Sequence, residues 1–378
     1  MQTTELLTAE RTISSLIKEF FNFIKTNPLL VICFFSAFAL CCILIPAVIK
    51  FCKKFNIYDT TNERKVHKGN IPRLGSIGFV TSFTIFTVIF LVIEKNASLI
   101  KLLPFIVSGF LIFFFGILDD LLDLKAKFKL IIQIIAALIV VIFGYRIQNI
   151  GDFKFSEWIS CIITFCWIIC IINAYNLIDG IDGLCGGLSI FTITTIGLIF
   201  CKQSLDVAAM CFILTAALFG FLIYNNPWPK AKIFMGDGGS QFLGFMIASL
   251  PLFESTDNFE YNKLLIMINL VAIPMFDVIA AIWRRLREHK SIMSPDKLHL
   301  HHKLMNLGLD SRQVLLVLLL VQIVLCAVSL IALYNKGLKG FIILVNSFVV
   351  LIVLFSIIHF ANYHYLRKKE QKVQAKIN

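Results

Sequence analysis

Apolar residues in this chain gather in long runs. Eleven stand out, at about 29–49, 76–94, 102–118, 130–145, 157–177, 187–201, 207–224, 239–254, 264–283, 314–334 and 340–361. An α-helix rising about 1.5 Å per residue needs about 20 apolar residues to cross a hydrocarbon layer of about 30 Å. The pattern therefore predicts an all-α, polytopic membrane protein with about eleven transmembrane helices, or ten if one is re-entrant. It divides the chain into an N-terminal extracytoplasmic segment (1–28), one transmembrane domain (29–361) and a basic cytoplasmic tail (362–378).

Composition narrows the class further. Of 378 residues, 58% are hydrophobic and only 15% are charged, against roughly 25% charged in soluble domains. A soluble enzyme and a disordered chain are both excluded. The net charge of +12 would suggest nucleic acid in a soluble protein; in a chain this apolar it fits loops facing anionic membrane lipids, and no nucleic-acid partner is expected. Roughly two thirds of the 35 Lys and Arg residues fall in the loops after odd-numbered runs and in the C-terminal tail. The positive-inside rule makes those loops and the C-terminus cytoplasmic and puts the N-terminus outside. The eleven Cys are scattered without a CxxC pair, which reads as small hydrophobes rather than metal ligands.

Five polar segments interrupt the pattern, all on the predicted cytoplasmic side. They are Asp59 to Gly75, with Arg64, His67 and Arg73; Asp119, Asp120 and Asp123, followed by Lys125, Lys127, Lys129 and Gln133; Asn173 to Leu184, with Asn176, Asp179 and Asp182; Lys232 to Ser240, with Asp237 between glycines; and Arg284 to His302, with Asp296, His299, His301 and His302. Crowded carboxylates repel one another unless a cation joins them. Mg²⁺ suits such a place, because it takes one or two carboxylates together with phosphate oxygens and water. The six aspartates are candidates for that role, and helix capping is the alternative for each. Lys129 is a natural point charge for a phosphate. The histidines could hold a diphosphate or sugar hydroxyls; zinc and an unliganded loop are the rival readings. Asp277, inside the ninth run, reads either as structural or as a support to the site.

In order and spacing, GILDDLLDLKAKFKLIIQ, NAYNLIDGIDGL, KIFMGDGGSQFLGF and SPDKLHLHHKL resemble the polyprenyl-phosphate N-acetylhexosamine-1-phosphate transferases, over roughly residues 45 to 310. The HLHH form resembles the branch that starts O-antigen, enterobacterial common antigen and teichoic-acid linkage units. The resemblance implies transfer of a sugar 1-phosphate, GlcNAc 1-phosphate foremost, from a UDP-N-acetyl sugar to undecaprenyl phosphate, with release of UMP at a bacterial cytoplasmic membrane. It implies Mg²⁺, with Mn²⁺ as a substitute, held by Asn176 and Asp237, and a catalytic group of Asp119, Asp120 and Lys129. Asp123, Asp179, Asp182, Asp296, His299, His301 and His302 would contact substrate. Membrane lipids are expected partners, and a homodimer is compatible with the chain. Asn225 and Asn226 depart from the family pattern and receive no role. The alternatives are a phospho-MurNAc-pentapeptide transferase and, in a different class, a transporter or flippase of lipid-linked sugars.

Overall fold

The computed structural model describes residues 18, 20–58, 71–94, 98–227, 230–253, 257–291, 298–335 and 337–377. Helices α1 (Pro28–Lys54), α2 (Ser76–Ile93), α3 (Ser98–Leu122) and α4 (Ala126–Ile142) lead into a short antiparallel hairpin, β1 (Asn149–Ile150) with β2 (Phe153–Lys154). Then follow α5 (Glu157–Ile178), α6 (Leu184–Phe200), α7 (Leu205–Asn225), α8 (Asp237–Ser249), α9 (Asp257–Leu270), α10 (Ala272–Arg287), α11 (Leu300–Asn306), α12 (Ser311–Tyr334) and α13 (Leu338–Ile377). The chain is an all-α, polytopic membrane protein.

Each of the eleven apolar runs carries a helix, though not all of these helices are long. Among the described residues seven helices are long and apolar enough to span: α1, α2, α3, α5, α7, α12 and α13. The pair α9 and α10, bent by 68° at its break, makes an eighth if it is one span. By contrast, α4 and α6 have 17 residues each and α8 has 13, or about 26 Å and 20 Å of helix. An apolar run overstates helix length where the backbone changes course. In the run at 239–254, α8 gives way to a tight turn at Leu250–Leu252, where Pro251 cannot continue the hydrogen-bond ladder.

The short helix α8 lies at the centre. From Gly238 to Ser249 it is buried on all sides, the polar Ser240, Gln241 and Ser249 included. It packs chiefly on α3 and α5, with α2 and α6 beside it. At the seam with α3, a Cβ on Gly116 would strike the backbone of Gly238, so these two helices touch backbone to backbone. Helix α7 packs against α1, α2 and α6, whereas little of the apolar stretch of the long α13 is buried, as befits a helix at the lipid-facing edge.

The break between α9 and α10 frees backbone groups that lipid cannot satisfy. Polar side chains from neighbouring helices take them up. Gln322 on α12 donates to the Leu270 carbonyl at 2.8 Å and Thr192 on α6 donates to it at 3.2 Å. Asn269, beside the break, donates to the Leu325 carbonyl at 2.9 Å and to Ser329.

Candidate functional site

The short helices α4, α6 and α8 begin at the end of the bundle where α3 and α5 stop, so helix N-termini and C-termini meet there. Helix N-termini present unpaired backbone N–H groups and partial positive charge, which favour anions. Asp119 and Asp120 occupy the last turn of α3, Lys129 the first turn of α4, Asn176 the last turn of α5, and Asp237 opens α8. The four segments converge on one point. Lys129 Nζ pairs with Asp237 Oδ2 at 2.9 Å and also with Asp119 Oδ2. Asn176 Nδ2 donates to Asp237 Oδ1 at 3.2 Å and to Ser240 Oγ at 3.0 Å. Asp119 also accepts the Leu124 N–H at 2.8 Å, which folds the chain sharply after α3. One ammonium thus sits between two carboxylates that would otherwise repel.

Asp120 faces a different way. Its two oxygens accept the backbone N–H groups of Asp237 at 2.9 Å and Gly238 at 3.1 Å. It therefore caps the start of α8, a task usually given to the residue before a helix. That position is Gly236, whose φ of 80° and close approach to the Arg73 carbonyl and the Asp120 carboxylate leave no room for a side chain. The stretch before α2 lies against the stretch before α8 through Phe234 N–H to Pro72 O at 2.7 Å, Gly75 N–H to Phe234 O at 2.9 Å and Ser76 N–H to Met235 O at 3.1 Å. Arg73 thereby reaches Asp123, 3.3 Å away at the exposed rim.

A second group flanks the same end of α5. Asp179 is one turn beyond Asn176, and Asp182 accepts the Ala231 N–H at 3.3 Å. The turn is clamped by Asn225, which accepts the Gly183 N–H at 2.8 Å and donates to the Ile233 carbonyl at 3.0 Å. The His301 ring lies so close to Gly180 that a Cβ there would meet it at 2.7 Å. His299 and His301 stack at 6.0 Å, with His302 tilted 4.2 Å from His301. Asp277 of α10 anchors this arm, taking His299 Nδ1 at 3.0 Å and the Leu300 N–H at 2.8 Å. Burial, together with the neighbouring His302, pushes the His301 imidazole down to about 3 despite the opposing pull of Asp277. His301 is therefore neutral at physiological pH.

Asp119, Asp120, Lys129, Asn176 and Asp237 thus meet in space, and Asp179, Asp182 and the three histidines gather beside them. Asp123 stands apart at the rim. Asp296, like Arg64 and His67, lies outside the described residues. The sequence reading gave no site role to Arg73, Asn173, Gln133, Gln241 or Asn225, and it left the role of Asp277 open. Asn173, Gln133 and Gln241 carried a signal, since each lies one helical turn from a site residue inside an apolar run. Arg73 and Asn225 carried none, because their partners are remote in sequence.

Among the described residues no group of three or more His, Cys, Asp or Glu side chains is arranged to hold a metal ion. A hard divalent cation that keeps waters and phosphate oxygens needs only one or two carboxylates. The all-oxygen donors of Asp237 and the neighbouring Asn176 and Asp119 fit that requirement.

The sequence pattern of glycosyl transferase family 4 matches residues 102–254. A protein of Bacillus subtilis (strain 168), described as a probable undecaprenyl-phosphate N-acetylglucosaminyl 1-phosphate transferase, is 33% identical over 77% of this chain and 82% of its own length. The undecaprenyl-phosphate alpha-N-acetylglucosaminyl 1-phosphate transferase of Escherichia coli (strain K12) is 31% identical over 78% of this chain and 82% of its own length. The protein of the same name from Salmonella typhi is 30% identical over 82% of this chain and 86% of its own.

Proposed function

Because the chain belongs to glycosyl transferase family 4, we propose that it transfers a sugar 1-phosphate, GlcNAc 1-phosphate foremost, from a UDP-sugar to undecaprenyl phosphate. UMP is released, and the product starts a lipid-linked glycan of the cell envelope. The observation that carries this reading is the bridging of Asp119 and Asp237 by Lys129 where α3 ends and α4 and α8 begin. Phosphoryl transfer asks mainly for positioning and charge neutralisation, and this arrangement supplies both at the end of an apolar bundle where a lipid phosphate can enter.

An oxygen of the lipid phosphate forms a bond to the β-phosphorus of the UDP-sugar, and the bond from that phosphorus to the bridging oxygen breaks, so the bridging oxygen leaves with UMP. Asp119 orients the acceptor phosphate and takes its proton where it carries one. Lys129 turns from the carboxylates to the diphosphate oxygens. Asp120 holds Asp237 in place through the backbone. The Asp179–Asp182 turn receives the nucleotide, and the His299–His302 arm closes on diphosphate and sugar. Asp237 and Asn176 would hold Mg²⁺, which supplies charge neutralisation on the diphosphate when bound. We read this end of the bundle as facing the cytoplasm of a bacterium, where nucleotide sugars are made; the basic loops expected on that side support the reading.

A transporter would concentrate ionisable groups near the membrane midplane. Here the polar residues around the helix break, Gln322, Thr192 and Asn269, are neutral and engaged in backbone hydrogen bonds, which favours the enzyme. The test is UMP release by purified protein. It should require UDP-GlcNAc, undecaprenyl phosphate and Mg²⁺ together. Binding of UDP-GlcNAc without UMP release under those conditions overturns the reading.

A further inference from the structure

An uncharged layer lies one turn deeper in the bundle than the charged residues. Gln133 follows Lys129 by four positions on α4, Asn173 precedes Asn176 by three on α5, and Gln241 follows Asp237 by four on α8. At these spacings each amide shares a helix face with its site residue. The three amides bond to one another. Asn173 Nδ2 donates to Gln133 Oε1 at 2.7 Å, and Gln133 Nε2 donates to Gln241 Oε1 at 3.0 Å. Gln133 and Gln241 are both buried.

Apolar side chains of similar size would fill this volume without the desolvation that buried amides suffer. Amides add direction. Apolar contacts tolerate rotation of a helix about its own axis, whereas a hydrogen-bonded chain across three helices holds one arrangement. Rotation of α4, α5 or α8 would swing Lys129, Asn176 or Asp237 away from the others.

We propose that Gln133, Asn173 and Gln241 are positioning residues of the transfer reaction, a buried amide chain that locks the rotation of α4, α5 and α8 so that Lys129, Asn176 and Asp237 converge. The inference rests on the reading of the site given above. Misplacement of reacting groups by about 1 Å can cost about 10²-fold in rate, so a lock on helix rotation acts on turnover more than on substrate affinity.

Purified full-length protein carrying Gln133→Leu, Gln241→Leu or both is compared with the unaltered chain for UMP release and thermal unfolding. Either single change strands one amide, and both stability and kcat fall. The double change removes both groups, and Asn173 keeps its bond to the Ile169 carbonyl at 2.8 Å, so the unfolding temperature recovers. The kcat of the double variant stays about tenfold or more below normal, with KM for the UDP-sugar nearly unchanged. Gln133→Glu, which keeps an acceptor for Asn173, retains more kcat than Gln133→Leu. Recovery of kcat along with stability, a loss confined to KM, or full kcat in the single variants overturns the inference. Asp237→Asn separates the two readings. If it is inactive beside a fully active Gln133→Leu, the amide chain alone is refuted. If Asp237→Asn is active, the reading of the site itself fails.

Discussion

The carboxylate of Asp120 holds the backbone N–H of Asp237 at 2.9 Å, so one acid caps the helix on which the next acid is carried. Its chain neighbour Asp119 instead faces Asp237 across Lys129. Two adjacent aspartates that look equivalent in sequence thus have different work, and their substitutions should separate.

Asp120→Ala removes the acceptor for two N–H groups, one part-buried and one buried, and should cost about 1–3 kcal/mol of stability as well as activity. Asp119→Asn should lower kcat about 10²-fold or more while leaving the unfolding temperature near normal. Thermal unfolding in detergent, paired with UMP release, distinguishes them. Equal losses of stability in the two variants would contradict the division of labour.

Lys129→Met should abolish most turnover, by about 10²- to 10³-fold. Lys129→Arg should recover little of it, because a planar guanidinium cannot replace a compact ammonium between two carboxylates. Steady-state kinetics of UMP release check both. A nearly normal Lys129→Arg enzyme would show that any positive charge suffices.

Asp277→Asn leaves His299 without its anionic partner. An amide can still accept one bond but offers no charge, so the histidine arm should lose orientation and kcat should drop about 10- to 100-fold, with the fold retained. Turnover unchanged by this substitution would reduce the Asp277–His299 contact to packing.

His301 makes stability depend on pH. Its folded value, about 3, lies below the ordinary 6.5, so between these limits the unfolded chain binds the proton more readily. Its stabilising contribution is fully present above about 6.5 and is lost as pH falls toward about 3. Unfolding temperatures from pH 8 down to pH 5 should decline, and His301→Gln should flatten that decline. Parallel curves for the two proteins would refute the assignment.

The all-α membrane fold was legible because lipid demands long apolar helices, and the runs record them directly. Helix ends were less so, since hydropathy does not register where Pro251 stops a helix or where α9 and α10 bend. Asp119, Lys129 and Asp237 stood out because charge is costly beside apolar runs. Capping was an open reading for Asp120, but the helix it caps was not legible, because its partners are backbone N–H groups more than a hundred residues away. Asn225 was hidden for the same reason: a clamp on Gly183 is a three-dimensional fact with no local pattern.

The backbone contact between Gly116 and Gly238 has a bearing on redesign. That seam stands a few residues from Asp119 on one strand of the chain and next to Asp237 on the other, and it offers no side chain to trim or enlarge. Attempts to broaden the range of accepted sugars should therefore target the His299–His302 arm, which Asp277 anchors, and leave the glycine seam untouched.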